Sequence, residues 1–184
     1  TISMDMASFN KVEIIRGPEA LLYGSNTIGG VIDISRTIDL ESRFKKRSIQ
    51  AVLGSESVNK SKFGNIVYYQ PVNNKHQFRI SLLNRNAGNQ VTPIGVLDNT
   101  SLSNNEVTGN YTYFGTDYRT SFSYEKITMD YGIPGSLEGH ISGVDLSLNK
   151  STQKFMFHKD ISFMGFQTFD FDQRYINYGH IESE

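Results

Sequence analysis

Residues 12–35 read VEIIRGPEALLYGSNTIGGVIDIS, the most informative stretch of the 184-residue chain. A short apolar run at residues 12–15 is broken by Arg16-Gly17-Pro18. Because proline has a fixed φ and no N–H, Pro18 suits the first position of a helix, and good helix formers follow it. Gly24 is placed to end that helix, and Gly29-Gly30 lead into a second apolar run. The stretch therefore predicts a strand, a helical turn, a glycine turn and a second strand.

The pattern VE-x-x-RGP-x-x-x-LYG-x-x-x-x-GG-x-I-x-I resembles the C-terminal end of the plug domain of TonB-dependent outer-membrane receptors. Twelve positions carry the resemblance: Glu13, Arg16, Gly17, Pro18, Leu22, Tyr23, Gly24, Gly29, Gly30, Val31, Ile32 and Ile34. The resemblance implies polar contacts between plug and barrel for Glu13 and Arg16; a local surface pair is the alternative. A βαβ fragment of a soluble enzyme is the competing interpretation, and it is disfavoured because no α/β alternation follows.

Composition excludes several classes of protein. The chain has 18 Lys and Arg against 19 Asp and Glu, without the basic excess that a nucleic-acid-binding protein needs. It has no Cys, so disulfides and thiolate metal sites are excluded. No apolar run approaches the roughly 20 residues of a membrane helix, although a membrane β-barrel needs none. The 10 Tyr and 12 Phe would suit the aromatic girdles of such a barrel, or the aromatic core of an ordinary β domain.

After residue 47 the hydrophobic period changes to two, which predicts strands. Seven are predicted, at residues 48–58, 61–70, 75–86, 106–116, 117–130, 143–157 and 161–184. Short turns are expected at residues 59–60, 71–74 and 158–160, the first two on the periplasmic side, and long polar loops at residues 87–105 and 130–142. This alternation of turn lengths is typical of a membrane barrel.

The third predicted strand has the clearest alternation of side chains. Phe78, Ile80 and Leu82 share one face of this strand, because successive side chains point to opposite sides. The other face carries Gln77, Arg79 and Ser81. In a membrane barrel the apolar set would meet lipid and the polar set the lumen.

The predicted fold is mainly β: the end of a plug domain followed by about seven antiparallel strands of an incomplete transmembrane barrel. We expect the plug part at residues 1–40, a charged hinge at 41–47 and barrel strands at 48–184. Plugged barrels have about 22 strands, so the chain is expected to be an internal fragment. The resemblance implies a signal peptide, an energy-coupling segment and most of the plug upstream.

No catalytic constellation is found, so the chain is not expected to be an enzyme or to hold a cofactor. The four His residues stand apart, and neither an HExxH nor a GxSxG motif occurs. His158, placed beside an expected turn, is interpreted as structural.

A second stretch, DYGIPG at residues 130–135, is similar to a subgroup of these receptors that take up zinc, haem or iron-siderophores. In that subgroup this turn opens an extracellular loop, and the YINYGHIE stretch at residues 175–182 resembles a strand end of the same proteins. The candidate substrate-binding residues are Glu138, His140, His180 and Glu182. The loop lacks the subgroup's His-rich run, and zinc needs three or four ligands, so Glu184 would have to join them and the loops would have to converge.

The resemblance implies a receptor in the outer membrane of a Gram-negative bacterium. Its expected function is uptake of a metal ion or metal complex, energised by a TonB-type complex that acts through an upstream segment. Its expected partners are that complex, outer-membrane lipid and the substrate, with no nucleic acid. Two alternatives remain open: a β-rich soluble or cell-surface binding module, and an inactive truncated receptor.

Overall fold

The computed structural model describes residues 11–23, 29–35, 40, 42–136 and 141–184. The chain divides into two compact units, one within residues 1–39 and one comprising residues 40–184. This division lies next to the expected hinge at residues 41–47. The assignment of the two units to a plug and a barrel stays a prediction.

The smaller unit is a strand, a helical turn and a strand, as its sequence predicts. Strand β1 (Lys11–Ile15) pairs antiparallel with β2 (Val31–Ser35), and a 3₁₀ helix (Pro18–Tyr23) lies between them in sequence. Pro18 begins that helix as expected. The predicted helix stop at Gly24 lies outside the described residues.

Two glycines of this unit adopt backbone conformations that other residues disfavour. Gly17 has a φ of 80°, and its carbonyl accepts a 3.1 Å hydrogen bond from the N–H of Ala20, which is buried. Gly30 has a φ of 111°, and a Cβ there would lie 2.8 Å from the carbonyl oxygen of Ile15. Both glycines therefore have a backbone reason to occupy their positions.

The larger unit is built on a seven-stranded antiparallel sheet. Its strands are β3 (Ser48–Glu56), β4 (Ser61–Pro71), β5 (His76–Ala87), β8 (Leu102–Phe114), β9 (Tyr118–Ile133), β10 (Val144–Phe163) and β11 (Phe166–Ser183). The spatial order is β11-β10-β9-β8-β5-β4-β3, so each strand pairs with its neighbour in sequence except across a small hairpin, β6 (Gln90–Thr92) and β7 (Gly95–Leu97). The prediction of a mainly β chain with seven antiparallel strands is confirmed.

Several predicted boundaries are wrong. The first long loop is shorter than expected, because β8 already begins at Leu102. It also contains two short strands, β6 and β7. The second long loop is also shorter, because β9 continues to Ile133, although β10 begins one residue later than expected, at Val144. The turn expected at residues 158–160 lies inside β10, and the chain turns at Met164-Gly165, which have φ values of 49° and 87°. Two successive positive φ values match a tight hairpin turn.

The two ends of the sheet differ in their connections. The short-turn end has residues 72–75, 115–117 and 164–165, whereas the long-loop end has residues 57–60, 88–101 and 134–143. Successive hairpins turn at opposite ends, so the prediction that residues 59–60 and 71–74 lie on one side is wrong.

Within the described part of the chain, no helix is long and apolar enough to cross a membrane.

Candidate functional site

The sheet has an inverted polarity: the face with the buried side chains carries ten polar and five apolar ones, and the other face leaves large apolar side chains exposed. We call the face that carries Gln77, Arg79 and Ser81 the polar face, and the face that carries Phe78, Ile80 and Leu82 the apolar face. The strand registers place all ten of the buried polar residues in the described chain on the polar face. They are Ser61, Asn65, Gln77, Asn104, Glu106, Thr108, Asn110, Thr112, Ser121 and Ser123.

Several of the buried polar side chains bond to one another across and along the strands, whereas Ser61 Oγ and Asn104 Oδ1 have no hydrogen-bond partner among the described residues. Asn110 Nδ2 donates to Ser121 Oγ at 2.6 Å, and Thr112 Oγ1 donates to Asn110 Oδ1 at 3.2 Å. Asn104 Nδ2 donates to Glu106 Oε1 at 3.0 Å. Buried polar groups cost free energy unless they are hydrogen-bonded, so this face is suited to water, polar solutes or polar protein groups and not to lipid.

The opposite face leaves large apolar side chains exposed. Phe78, Ile80 and Leu82 are 43%, 46% and 49% exposed, whereas Gln77 is 4% exposed. The exposed apolar set continues across the sheet on the same face: Ile49, Leu53, Ile66, Val107, Phe122, Tyr124, Phe155, Phe169, Phe171 and Tyr175. An apolar area of this extent is uncommon on the water-exposed surface of a monomeric protein.

This apolar band runs obliquely to the strands. In β3 the band is centred on Ala51. When paired residues are followed from strand to strand, Ala51 lies on the same row as Asn177 in β11. The apolar segment of β11, residues 169–175, is centred five residues earlier, at position 172. Five residues of strand are about 17 Å and six strand spacings are about 29 Å, so the band is inclined by about 30° to the rows of paired residues.

An aromatic row crosses five strands on the apolar face near the short-turn end. Ring centroids lie 5.0 Å apart for His76 and Tyr113, 5.7 Å for Tyr113 and Tyr118, and 6.0 Å for Tyr118 and Phe157. Phe157 continues the row to Phe169 at 6.3 Å. Two further pairs lie beside it, Phe78 with Tyr111 and Phe155 with Phe171.

A strap, residues 42–44, is held against the polar face near the short-turn end. Gln77 Nε2 donates to the carbonyl oxygen of Ser42 at 3.0 Å, and its Oε1 accepts from the N–H of Phe44 at 3.0 Å. The amide of Gln77 thus bonds the strap as a neighbouring strand would. Arg43 lies 4.3 Å above the buried ring of Phe114.

A charged network occupies the polar face of β9 to β11. His158 lies between two carboxylates, with Nδ1 2.6 Å from Asp170 and Nε2 3.1 Å from Asp160. Arg119 lies 3.7 Å from Asp160. The prediction that His158 lies beside a turn is wrong, because this residue lies inside β10 and is paired with Asp170 of β11. Its interpretation as a structural residue stays a prediction. Donation from both ring nitrogens at once requires the imidazolium form, so the network suits a charged His158.

The candidate substrate residues are only partly described. Glu138 and His140 lie outside the described residues. His180 and Glu182 lie on the polar face of β11 near the long-loop end, with Nδ1 and Oε1 3.7 Å apart. Among the residues that the structure describes, no group of three or more His, Cys, Asp or Glu is placed to hold a metal ion. The substrate role of these four residues stays a prediction.

The described residues of the plug-like motif lie in β1, the 3₁₀ helix and β2 and in the segments next to these elements. Glu13 is a half-buried residue of β1, and Arg16 is an exposed residue directly after β1. Tyr23 is the last residue of the 3₁₀ helix, and Gly29-Gly30 directly precede β2.

A scan against protein-family models gives no match for this chain, and a search of curated proteins gives none either. The resemblance to TonB-dependent receptors therefore rests on the motifs quoted above.

Proposed function

We propose that this chain is part of a TonB-dependent outer-membrane receptor, with the end of the plug domain at residues 1–40, a hinge at 41–47 and seven barrel strands at 48–184. The protein would take up a metal ion or metal complex (an iron-siderophore, haem or zinc) across the outer membrane of a Gram-negative bacterium. No bond of the substrate is made or broken. A TonB-type complex would supply the energy.

The inverted polarity of the sheet is the observation that carries the proposal. In a water-soluble β protein the apolar face of a sheet packs into a core and the polar face meets solvent. Here ten buried polar side chains share one face with only five buried apolar ones, and the exposed apolar band lies on the other face. A strand that alternates apolar outward and polar inward is typical of a membrane barrel, whose lumen is wet.

The slope of the apolar band supports the same interpretation. Strands of membrane barrels are tilted by about 35–45° from the barrel axis, so the lipid-facing segment shifts along successive strands. The slope of about 30° obtained from the strand registers is close to that tilt. A sheet that packs its apolar face on a core has no such requirement.

The aromatic row and the connections suggest an orientation. Aromatic side chains concentrate at membrane–water interfaces, and outer-membrane barrels have short periplasmic turns and long extracellular loops. The row that contains Tyr113, Tyr118 and Phe157 lies near the short turns. We therefore assign the short-turn end to the periplasm and the long-loop end to the outside.

The unpaired edges of the sheet support the proposal that it is part of a larger barrel. All 18 residues of β11 are exposed, and β3 forms the other edge of the sheet. Long unpaired edges favour aggregation, and a closed barrel removes them. We propose that further strands pair with β3 and β11 in the complete barrel.

Accessibility of spin labels in vesicles tests the proposed topology. Ile80→Cys and Ser81→Cys are adjacent in β5 and lie on opposite faces, and the chain has no native Cys. In phospholipid vesicles a label at position 80 should be relaxed mainly by oxygen, and one at position 81 mainly by a water-soluble nickel chelate. Equal accessibility to both reagents, or the reverse order, would contradict the membrane wall.

Labelling of intact cells tests the proposed orientation. Ile94 is 99% exposed in the long loop after β5, and Asn74 lies in a short turn. A membrane-impermeant maleimide should label Ile94→Cys on intact cells and Asn74→Cys only after the outer membrane is opened. Labelling of both variants on intact cells would refute the assignment.

Transport is tested separately. Cells with and without the intact gene should differ in uptake of ⁵⁵Fe-siderophore, haem or ⁶⁵Zn, and a protonophore should abolish the difference. If the wall is confirmed but no substrate shows energised uptake, the proposed transport fails and the membrane topology stands.

A further inference from the structure

We propose that Asn99 joins the first long loop to the described base of the second, so that these two parts of the long-loop end move as one body. The first loop is residues 88–101, and the described base of the second is residues 134–136 and 141–143. The coupling rests on geometry within the larger unit and does not depend on the proposed function.

The side chain of Asn99 reaches both sides of the second loop. Its Nδ2 donates to the carbonyl oxygen of Ile133 at 3.0 Å and to that of Val144 at 3.2 Å. Ile133 is the last residue of β9, and Val144 is the first residue of β10. The side-chain amide of Asn99 therefore links the end of β9 to the start of β10, which are the two strand ends that the second loop connects.

Two glycines make room for this bridge. A Cβ at Gly132 would overlap the side-chain amide of Asn99, and a Cβ at Gly143 would lie 2.6 Å from Asn99 Nδ2 and 2.5 Å from the carbonyl oxygen of Ile133. Gly143 also has a φ of 87°, which disfavours any other residue. Gly132 belongs to the DYGIPG stretch, so part of that motif has a packing role that its sequence does not reveal.

The residue that follows Asn99 is hydrogen-bonded to the start of the first loop. Thr100 accepts a 2.8 Å hydrogen bond at Oγ1 from the N–H of Gln90, and its own N–H donates to Asn89 Oδ1 at 3.0 Å. The N–H of Gly132 donates to the carbonyl oxygen of Ser101 at 3.1 Å, a backbone link beside the side-chain bridge. A displacement of either loop therefore strains bonds that belong to the other.

Hydrogen exchange in the intact protein tests the coupling without any ligand. Asn99→Ala removes the bridge, and Asn99→Asp places a carboxylate against two carbonyl oxygens. We expect amide exchange around residues 132–136 and 141–144 to rise roughly tenfold in the first variant and further in the second. Asn105→Ala is the matched control, since Asn105 accepts a 2.7 Å hydrogen bond from Asn84 between β8 and β5, within the sheet. Unchanged exchange in both Asn99 variants would overturn the proposal.

The reverse perturbation separates coupling from a local effect. Gly143→Ala disturbs the bridge from the base of the second loop and leaves residue 99 as asparagine. Coupling between two sites is reciprocal, so the effect should also reach the first loop. We expect faster exchange at the N–H groups of Gln90 and Thr100 in the first loop. Exchange that rises only in the second loop would refute the single body. Because this readout needs neither substrate nor energy source, its failure is distinct from a failure of the proposed transport.

Discussion

A lysine on the apolar face of β5 should be more harmful than one on the polar face in a membrane wall, whereas the two should be about equally harmful in a water-soluble sheet. The perturbation is Ile80→Lys, compared with Ser81→Lys one residue further along the strand. Ile80 is 46% exposed and lies in the middle of the apolar band of β5, between Phe78 and Leu82. Ser81 is half-buried on the polar face, where its Oγ donates to Asn65 Oδ1 at 3.1 Å.

The magnitudes follow from the environment of each side chain. In a bilayer, a lysine at the lipid-facing midplane of a barrel costs about 2–4 kcal/mol. In water, replacing a half-exposed isoleucine forfeits only part of the roughly 1.5–3 kcal/mol of its full burial, or about 1 kcal/mol. Ser81→Lys loses one hydrogen bond, about 1 kcal/mol in either setting, and its ammonium reaches a polar surface. We therefore expect Ile80→Lys to be the more harmful change by about 2 kcal/mol in the membrane.

Guanidinium unfolding from phosphatidylcholine vesicles, followed by gel mobility without boiling, measures this difference. Unfolding in detergent micelles is a useful parallel measurement, because the difference should shrink where the apolar thickness is less defined. The reasoning is refuted if the two variants are equally stable in vesicles, or if Ser81→Lys is the less stable.

Three further outcomes are expected. Gly30→Ala should destabilise the smaller unit by about 1–3 kcal/mol, because Gly30 has a positive φ. Gly29→Ala should have little effect, since a Cβ there would meet nothing within 4 Å, and thermal unfolding compares the two variants. Gln77→Ala should release the strap and increase its proteolysis at least several-fold, whereas Gln50→Ala, which loses only a 3.3 Å contact, should not. Tyr113→Ala should lower the stability of the vesicle-bound protein by roughly 1–2 kcal/mol through loss of ring contacts in the aromatic row, and an unchanged unfolding midpoint would contradict that role.

Local sequence signals were sufficient for the smaller unit and for the first strands of the larger one. A proline at the helix start and glycines with positive φ act within a few residues, so the order of strand, helical turn and strand could be predicted. The alternation of Phe78 and Ile80 with Gln77 likewise identifies two faces of β5. The turn predicted at residues 158–160 is wrong, because a run of polar residues is typical of both a turn and a strand with a polar face.

The sequence by itself determined which side chains share a face, since that depends only on the period of two along each strand. The tertiary structure decided which residues meet: His158 with Asp170, Gln77 with the strap, and Asn99 with the base of the second loop. These contacts depend on strand register, and register depends on where each hairpin turns. A shift of one residue would move every side chain of a strand to the opposite face, so register is a property of the paired strands and cannot be derived from one strand alone.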